Sequence, residues 1–390
     1  MVDVLIAGGG IAGSSLAIML GRKGVSAELF ERARFPREKP CGEGLMPAGV
    51  AVLDRLGLTD SIGGAPFGGV RYHFDGRVLE GRFPRVPGLP HAGIGQRRKV
   101  IDEILCSKAA ATPGIRVHTG TAVDGPIIQN GQVVGLTVEG KSVRAPLVVA
   151  ADGMRSPIRR QLGWNAPVRR RRFGIRVHFR LSPHKPETPW VEVFIGKQYE
   201  IYVTPLPRRE IAVIILAELG RAAKYSGKAF LRQCRAFPIL ASRLEGAVQI
   251  SKPMGASPLS GGARSGVGPG VVLLGDAAGF SDPITGGGMA QALQSAELLA
   301  EYIVQRPRMD NECLEAFNLD RKALLRDHHR LTGLALWFSE HIRLGKGVFS
   351  LPMVSRMLFS HFVGVAGGVK PLAFANRRTL VANYAFRGAG

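Results

Sequence analysis

The fold is decided by the opening stretch Val2-Asp3-Val4-Leu5-Ile6-Ala7-Gly8-Gly9-Gly10-Ile11-Ala12-Gly13. Residues 2–7 are apolar and β-prone enough for a buried parallel strand. Gly8 permits a tight turn, Gly10 lets a pyrophosphate approach the backbone, and Gly13 lets the following helix pack on the strand. The start of that helix, at Ala12, offers free N–H groups and the positive end of its dipole to a phosphate. The stretch predicts a dinucleotide-binding turn.

An acidic residue follows at the spacing that such a turn needs. Residues 25–30 predict the second strand, and Glu31 at its end lies 18 residues past Gly13. From there a carboxylate can accept a hydrogen bond from a ribose 2′-OH. A glycine-rich turn without a ligand is the alternative for the motif alone. The strand, the helix and the acid together favour a bound dinucleotide, and we place Arg32 in the same site.

Two further segments carry the same kind of signal. Residues 151–159 read Ala-Asp-Gly-Met-Arg-Ser-Pro-Ile-Arg and follow the apolar run 147–150. Residues 275–288 begin Gly-Asp-Ala-Ala and continue through Asp-Pro-Ile-Thr-Gly-Gly-Gly. The order and spacing of the three segments predict one FAD site.

Composition describes an ordinary globular protein. The chain has 390 residues, of which 45% are hydrophobic and 21% charged, so two closely joined domains are expected. Its 4 cysteines form no CxxC pair and no cluster with the 9 histidines, which argues against a disulfide framework and against a metal site. The first strand begins at residue 2 with no signal peptide before it, so we expect a cytoplasmic protein.

The chain is strongly basic, with a net charge of +22. Arginines are concentrated between Arg155 and Arg180, where no acid occurs, and they include residues 169–172. This run indicates either a solvated basic face or a field that attracts an anion, such as NADPH, an acidic carrier protein or an acidic membrane surface. No aromatic residues are interleaved with the run and no recognition motif is present, so we expect no nucleic-acid partner.

The patterns along the chain predict an α/β fold: a Rossmann-like FAD-binding domain with an inserted antiparallel β-sheet substrate domain and a helical C-terminal region. The FAD-binding domain takes residues 1–65, 97–165 and 265–330. Period-two alternation after about residue 170 predicts the sheet of the substrate domain, residues 66–96 and 166–264, with one face in water. The C-terminal region is 331–390. Its apolar runs 348–352 and 357–369 are too short to span a membrane and predict a core helix or an interfacial helix.

Over residues 1–330 the chain resembles the FAD-dependent superfamily of group A aromatic monooxygenases, flavin halogenases and geranylgeranyl reductases. The resemblance implies that the 152–159 segment is a motif linked to FAD and NAD(P)H, that Asp276 contacts the ribityl chain, and that Arg98 and the backbone of Val123 lie beside FAD. Pro283 would lie by the isoalloxazine, and the helix that begins at residues 286–289 would favour the negative charge of reduced flavin. The predicted FAD contacts are Gly8, Gly10, Ala12, Gly13, Glu31, Arg32, Cys41, Gly42, Gly44, Arg98, Val123, Asp152, Gly153, Gly275, Asp276, Pro283, Gly286, Gly287, Gly288 and Met289.

The loop Lys39-Pro40-Cys41-Gly42-Glu43-Gly44-Leu45 resembles the CGEGL segment of archaeal geranylgeranyl reductases, in which the cysteine lies near the flavin. An ordinary buried thiol is the alternative. The aromatic substrate motif of those reductases is broken at residues 199–207, which contain no tryptophan and are more like the substrate strand of hydroxylases. Gly279 replaces the histidine that hydroxylases carry there, and the tryptophan motif of halogenases is absent.

These observations favour an FAD-dependent monooxygenase that uses NAD(P)H and molecular oxygen to hydroxylate or epoxidise a hydrophobic secondary metabolite or lipid-like substrate. The rival is a geranylgeranyl-reductase-like enzyme that saturates an isoprenoid double bond; a halogenase and a flavin-binding sensor are further alternatives. The candidates for flavin-proximal catalysis are Cys41, Glu43 and Pro283, and those for substrate contact are Tyr199, Tyr202 and Pro205.

Overall fold

The computed structural model describes residues 2–168, 170–220, 225, 227–306, 309–340 and 352–373 of the chain. The strands are β1 (Val4–Ala7), β2 (Ala27–Glu31), β3 (Gly44–Leu45), β4 (Ala65–Phe67), β5 (Gly69–Phe74), β6 (Arg77–Arg82), β7 (Gly93–Gly95), β8 (Ile115–Thr119), β9 (Val123–Gln129), β10 (Gln132–Val138), β11 (Lys141–Arg144), β12 (Leu147–Ala150), β13 (Arg172–Arg180), β14 (Val191–Ile195), β15 (Tyr199–Leu206), β16 (Glu210–Glu218), β17 (Val248–Gln249), β18 (Met254–Ala256), β19 (Gly261–Gly262), β20 (Val267–Gly268), β21 (Val271–Leu273) and β22 (Gly279–Phe280). The helices are α1 (Ile11–Arg22), α2 (Pro47–Arg55), α3 (Thr59–Ile62), α4 (Arg98–Ala110), α5 (Pro157–Gln161), α6 (Lys228–Arg235), α7 (Pro238–Leu244), α8 (Gly288–Gln305), α9 (Asn311–Glu340) and α10 (Pro352–Ala366), with short 3₁₀ turns at Gly275–Ala277 and Pro283–Thr285.

The first sheet is the Rossmann-like core. Its order is β20-β21-β12-β1-β2-β8, and β21, β12, β1, β2 and β8 run parallel. Strands β1 and β12 are buried along their whole length, as their uninterrupted apolar sequences predict. The predicted α/β class is therefore confirmed. Because the strands are parallel, the turns that follow β1, β12 and β21 meet at one edge of the sheet.

A three-stranded antiparallel sheet, β11-β10-β9, lies beside this core. Its β9–β10 hairpin turns at Asn130 and Gly131, whose φ angles are 49° and 76°. Both values lie in the left-handed region that a two-residue type I′ turn requires, and Asn-Gly is the dipeptide that such turns favour.

The second large sheet has the order β17-β13-β16-β15-β14-β5-β6, with β18 also paired to β13. It is antiparallel except where β14 runs parallel to β5. The expectation of one face in water is wrong. On one face Ile211 and Val213 pack with Phe230 of α6 and Leu240 of α7. On the other face Ile214 and its apolar neighbours are buried as well. The alternation of apolar and polar residues predicted the strands correctly, but both faces of the second sheet are covered by other parts of the chain.

The last helix, α10, covers the edge of this sheet. Helix α10 packs on β6, and the rings of Phe359 and Tyr72 meet edge to face at 5.1 Å. Val363 is 4% exposed, whereas Met357 is 71% exposed. The part of α10 that is described is therefore a core-covering helix with one wet side; residues 348–351 lie outside the described residues. Within the described part of the chain, no helix has the length and apolarity to cross a membrane.

Candidate flavin site

The three glycine-containing segments meet at the carboxyl edge of the first sheet. A Cβ on Gly8 would lie 2.4 Å from the carbonyl oxygen of Ala151, and a Cβ on Gly275 would lie 3.1 Å from Ala12. A Cβ on Gly13 would lie 2.0 Å from the carbonyl oxygen of Gly8. These close approaches explain why glycine stands at each of the three positions. The segments that the sequence separates by more than 100 residues thus form one pocket wall.

Arg159 joins two of these segments. Its Nη1 donates to the carbonyl oxygen of Ala277 at 2.9 Å, and its Nη2 donates to that of Met154 at 2.6 Å. The Nε group donates to Asn165 at 2.9 Å. Burial raises the pKa of Asp152, which begins the same motif. The motif at 152–159 therefore has a structural task, since it fixes the backbone beside Asp276.

The nucleotide end of the pocket fits a pyrophosphate. A Cβ on Gly10 would meet only the Nη2 of Arg37, at 3.5 Å, so the backbone there is open to a ligand. Glu31 accepts from the N–H groups of Gly9 and Ala33, at 2.9 Å each. Arg37 lies 3.7 Å from the same carboxylate. The sequence analysis missed Arg37, which had no motif to mark it.

Six of the predicted contacts do not line the pocket, and they are Gly8, Gly13, Glu31, Arg32, Val123 and Asp152. The Arg32 residue is exposed, and Val123 is half-buried at the start of β9. Neither belongs to the residues that line the pocket. Their contacts with the adenine end of FAD remain predictions.

The flavin end is formed by the start of α8. Asp282 accepts from the N–H of Ile284 at 3.1 Å and caps the turn Pro283–Thr285, and Gly286 then reverses the chain with a φ of 73°. A Cβ on Gly288 would meet nothing within 4 Å, which leaves the helix start open to a ligand. Pro283, Met289 and the glycines at 286–288 all line the pocket. The structure thus brings together the predicted isoalloxazine contacts around the positive end of the α8 dipole.

The Cys41 loop lines the same pocket as this helix start. Cys41, Gly42 and Gly44 line the pocket, and the Sγ of Cys41 accepts from the N–H of Glu43 at 3.3 Å. A Cβ on Gly42 would meet nothing within 4 Å. Although burial opposes it, Asp102 and the nearby Cys41 raise the pKa of the Arg98 guanidinium. The thiol therefore lies beside a permanent cation.

The carboxylate of Glu43 is fully engaged by protein groups. Its Oε1 accepts from Nη1 of Arg176 at 2.6 Å and from the backbone N–H of Arg98 at 3.1 Å. Its Oε2 lies 2.5 Å from Nε2 of His178. Glu43 and His178 are each 0% exposed and Arg176 is 2% exposed. Glu43 is therefore a positioning residue that anchors the Cys41 loop, rather than a catalytic one.

The sequence analysis missed Arg176 and His178, although the signal was present. They stand two residues apart on β13 and so project from the same face of the sheet. Because both side chains are polar, they were predicted to lie on a face of the sheet that contacts water. In the fold this face is buried against the Cys41 loop, and polar residues persist there because each has a partner.

One residue of the basic run at 169–172, Arg172, is largely buried rather than exposed to solvent. It pairs with Glu200 and, at 2.8 Å, with Asp282, and its side chain is only 12% exposed. Arg170 and Arg171 remain on the surface, and Arg169 lies outside the described residues. The run is therefore not a uniform solvated face, because one of its members holds the cap of the flavin-side turn.

We expect Arg172→Gln to lower the free energy of unfolding by about 3 kcal/mol, since it leaves Glu200 and Asp282 buried without a cation. Arg171→Gln, the matched change at the exposed neighbour, should stay within about 0.5 kcal/mol of the parent. Urea unfolding of the two variants measures the difference. Equal midpoints would show that Arg172 behaves as a surface charge.

The substrate candidates divide between the two faces of β15. Tyr202 and Thr204 line the pocket together with Ile214 and Leu216. Tyr199 instead packs on Tyr225, with ring centroids 5.2 Å apart, in the core on the other face. Residues three apart on a strand point to opposite sides, so Tyr199 and Tyr202 cannot both face the pocket. The substrate assignment of Tyr199 is therefore wrong.

The remaining candidate, Pro205, does not line the pocket; its carbonyl oxygen lies 1.8 Å from where a Cβ on Gly95 would stand. The hydroxyl of Tyr202 donates to the carbonyl oxygen of Ile284 at 3.0 Å, beside the flavin-side turn. Burial raises the pKa of Tyr202 well above its usual range, and burial with the nearby Glu200 raises that of Tyr72 to about 12. Tyr202 is thus a protonated donor that ties the substrate sheet to the flavin-side turn.

Taken together, the fold and this site define a flavoprotein oxidoreductase. The FAD binding domain family matches residues 1–330, and the chain belongs to this family. The open glycines at positions 10, 42 and 288 fit FAD along the whole pocket. The protein is therefore an FAD-dependent oxidoreductase.

Three curated relatives are similar over most of their length. The menaquinone reductase of Mycolicibacterium smegmatis is 31% identical over 315 residues, 77% of this chain and 76% of that protein. The digeranylgeranylglycerophospholipid reductase of Methanocella arvoryzae is 30% identical, over 83% of this chain and 81% of that protein. The 6-methylpretetramide 4-monooxygenase of Streptomyces rimosus is 30% identical, over 75% and 73%.

The fold also matches that of solved flavoproteins. A flavoprotein/dehydrogenase from Cytophaga hutchinsonii superposes with a TM-score of 0.79 at 21% identity, covering 93% of this chain and 92% of that chain. At this identity the likeness concerns the fold alone.

Proposed function

We propose that the protein reduces a carbon–carbon double bond of an apolar, isoprenoid-type substrate, with NAD(P)H as the source of electrons. The observation that carries the proposal is the position of Cys41, a thiol on the pocket wall in a loop that the buried Glu43 cluster holds in place. Two relatives that this chain matches over most of their length are named reductases, and their names indicate isoprenoid-type molecules. This choice differs from the expectation drawn from the sequence, which favoured oxygen insertion.

The opposite wall of the pocket suits an apolar chain. It is formed by aliphatic and thioether side chains of the second sheet and of the segment after it, which are Val191, Ile214, Leu216, Met254, Ala256 and Leu259. Burying such a substrate against this wall is favourable by about 25 cal/mol for each Å² of apolar surface removed from water. The wall can therefore bind a hydrocarbon substrate through apolar burial alone, because it requires no polar group on the substrate.

Saturating a double bond requires a hydride at one carbon and a proton at the other. FAD, when bound and reduced by NAD(P)H, would supply the hydride. The Cys41 S–H group supplies the proton, so that two C–H bonds form as the π bond breaks. The Arg98 guanidinium and the N–H of Glu43 stabilise the thiolate that remains, and a proton from water restores the thiol.

We expect Cys41→Ser to lower the turnover number about 100-fold, because a serine hydroxyl is a much weaker acid than a thiol. The dissociation constant of FAD should stay within a factor of two, since the loop remains anchored through Glu43. Steady-state kinetics and a flavin titration of the same preparations test this. Cys234→Ser is the control, because that thiol of α6 is buried in the core beside the second sheet and does not line the pocket. Full turnover by Cys41→Ser would show that Cys41 is not the proton donor.

Oxygen insertion is the second candidate, and it is supported by relatives such as the monooxygenase of Streptomyces rimosus, which is 30% identical over 315 residues. The pocket face of β15 carries Tyr202 and Thr204 and no tryptophan, unlike the prenyl reductase motif. Under this alternative Cys41→Ser would change turnover little, and oxygen consumption would equal product formation.

A contact with an anionic partner remains part of the proposal. A net charge of +22 and exposed arginines such as Arg171 would attract an acidic carrier protein or an acidic membrane surface that delivers a lipid-like substrate. The predicted domain boundaries at residues 66–96 and 166–264 likewise assign the apolar wall to a substrate domain.

A further inference from the structure

The pocket extends past the flavin-side turn into a groove between α8 and α9. Helix α9 presents Arg321, Leu325 and His328 to it, spaced four and three residues apart and therefore on one helix face. Helix α8 presents Gln291 and Ser295, which are four residues apart. No part of the proposed reaction uses these side chains.

Arg321 is buried, and no acidic partner for it lies among the described residues. It is 8% exposed, its Nε has no hydrogen-bond partner in that part of the chain, and its Nη2 donates to Asn318 over a long distance of 3.4 Å. Arg98, Arg172 and Arg176, by contrast, each pair with a carboxylate. Burial lowers the pKa of the Arg321 guanidinium, and no carboxylate in the described ranges offsets that effect. An unpaired buried cation is costly, which calls for a compensating ligand.

The groups around Arg321 are donors or neutral. The Nε2 of Gln291 is buried and makes no hydrogen bond to the described residues. Burial, with His329 nearby, lowers the pKa of His328 to about 4, so its ring is neutral, and its Nε2 is paired with the Thr285 hydroxyl at 2.9 Å. Asp276, an acid on the same pocket wall, lies 3.6 Å from the ammonium of Lys39. The groove therefore offers a guanidinium and an amide N–H to an incoming anion.

We propose that Arg321 and Gln291 bind an oxyanion group, a carboxylate or a phosphate, of a second ligand that enters the pocket beside FAD. A guanidinium presents a planar fork that matches the two oxygens of such a group. A Cβ on Gly266 would lie 2.9 Å from Nη2 of Arg321, so the backbone closes that side and leaves the pocket side for the ligand. The oxyanion belongs either to the substrate or to NAD(P)H.

The test compares Arg321→Met with Arg326→Met, which removes an exposed arginine of the same helix. Both are measured as FAD-loaded proteins by thermal unfolding, with sodium phosphate or sodium benzoate as the probe at constant ionic strength. The probes should stabilise the parent and Arg326→Met, whereas Arg321→Met should bind them at least about tenfold more weakly. Without a probe, Arg321→Met should melt at a higher temperature than the parent, because methionine removes an unpaired buried charge.

A third variant and one further ligand, NADPH, complete the test. Arg321→Lys keeps the positive charge but lacks the planar guanidinium. It should therefore bind phosphate more tightly than Arg321→Met and more weakly than the parent. If Arg321→Met binds NADPH about tenfold more weakly, the oxyanion belongs to the reductant. If Arg321→Met loses affinity for benzoate but keeps its affinity for NADPH, the oxyanion belongs to the substrate. Either result supports the site. Equal probe binding by the parent and all variants would overturn the proposal. An FAD dissociation constant that rises in Arg321→Met as much as that of the probes would also overturn it, because Arg321 would then bind the cofactor.

Discussion

Gly10→Val should give a folded protein that no longer binds FAD. In the fold, a side chain at Gly10 meets only the end of Arg37, so the protein itself tolerates it. The same side chain occupies the space through which the pyrophosphate approaches the start of α1. Overpacking of this kind costs about 3 kcal/mol, so the dissociation constant of FAD should rise at least about 100-fold.

The purified variant should be colourless, with an unfolding midpoint close to that of the apoprotein. Gly333→Val is the control, because that glycine is exposed on α9 and its Cβ would meet nothing within 4 Å. This control should stay yellow. A yellow Gly10→Val protein with unchanged FAD affinity would mean that the pyrophosphate does not lie at α1.

Glu43→Gln should produce the largest loss of stability, about 3–5 kcal/mol. The change leaves the buried side chains of Arg176 and His178 facing a neutral amide, where they had shared a carboxylate. FAD should also bind more weakly, because the Cys41 loop loses its anchor. Urea unfolding and a flavin titration measure the two effects.

Glu38→Gln is the matched control for this prediction. Glu38 pairs with the same Arg176, at 2.9 Å, but its side chain is 33% exposed. Its removal should change the free energy of unfolding by less than about 1 kcal/mol. If Glu38→Gln and Glu43→Gln were equally stable, burial would not be what makes Glu43 important.

Local sequence signals predicted the cofactor half of the site. The glycines at 8, 10 and 13 and the segments at 152 and 275 each follow a buried strand, and parallel strands bring such ends together. The partners of Arg172 and Arg176 could not be predicted in this way. Each of these arginines owes its environment to residues that are distant in the chain, and composition assigns arginine to the surface by default.

The errors in the substrate sheet have a common physical cause. Alternation of apolar and polar residues located the strands correctly, but it does not reveal what covers each face. The polar side of β13 carries Arg176 and His178 and is buried by the Cys41 loop. The assignment of Tyr199 could have been avoided, since a spacing of three from Tyr202 places it on the other face.

An anaerobic incubation decides between reduction and oxygen insertion. The FAD-loaded protein is reduced with dithionite under strict exclusion of oxygen and incubated with an apolar prenylated quinone, and the product is identified by mass spectrometry. We expect a product that has gained two hydrogen atoms at a prenyl double bond, that forms without oxygen and that Cys41→Ser does not produce. An unchanged substrate under these conditions, together with a product that contains one added oxygen atom when air and NADPH are supplied, would contradict this expectation.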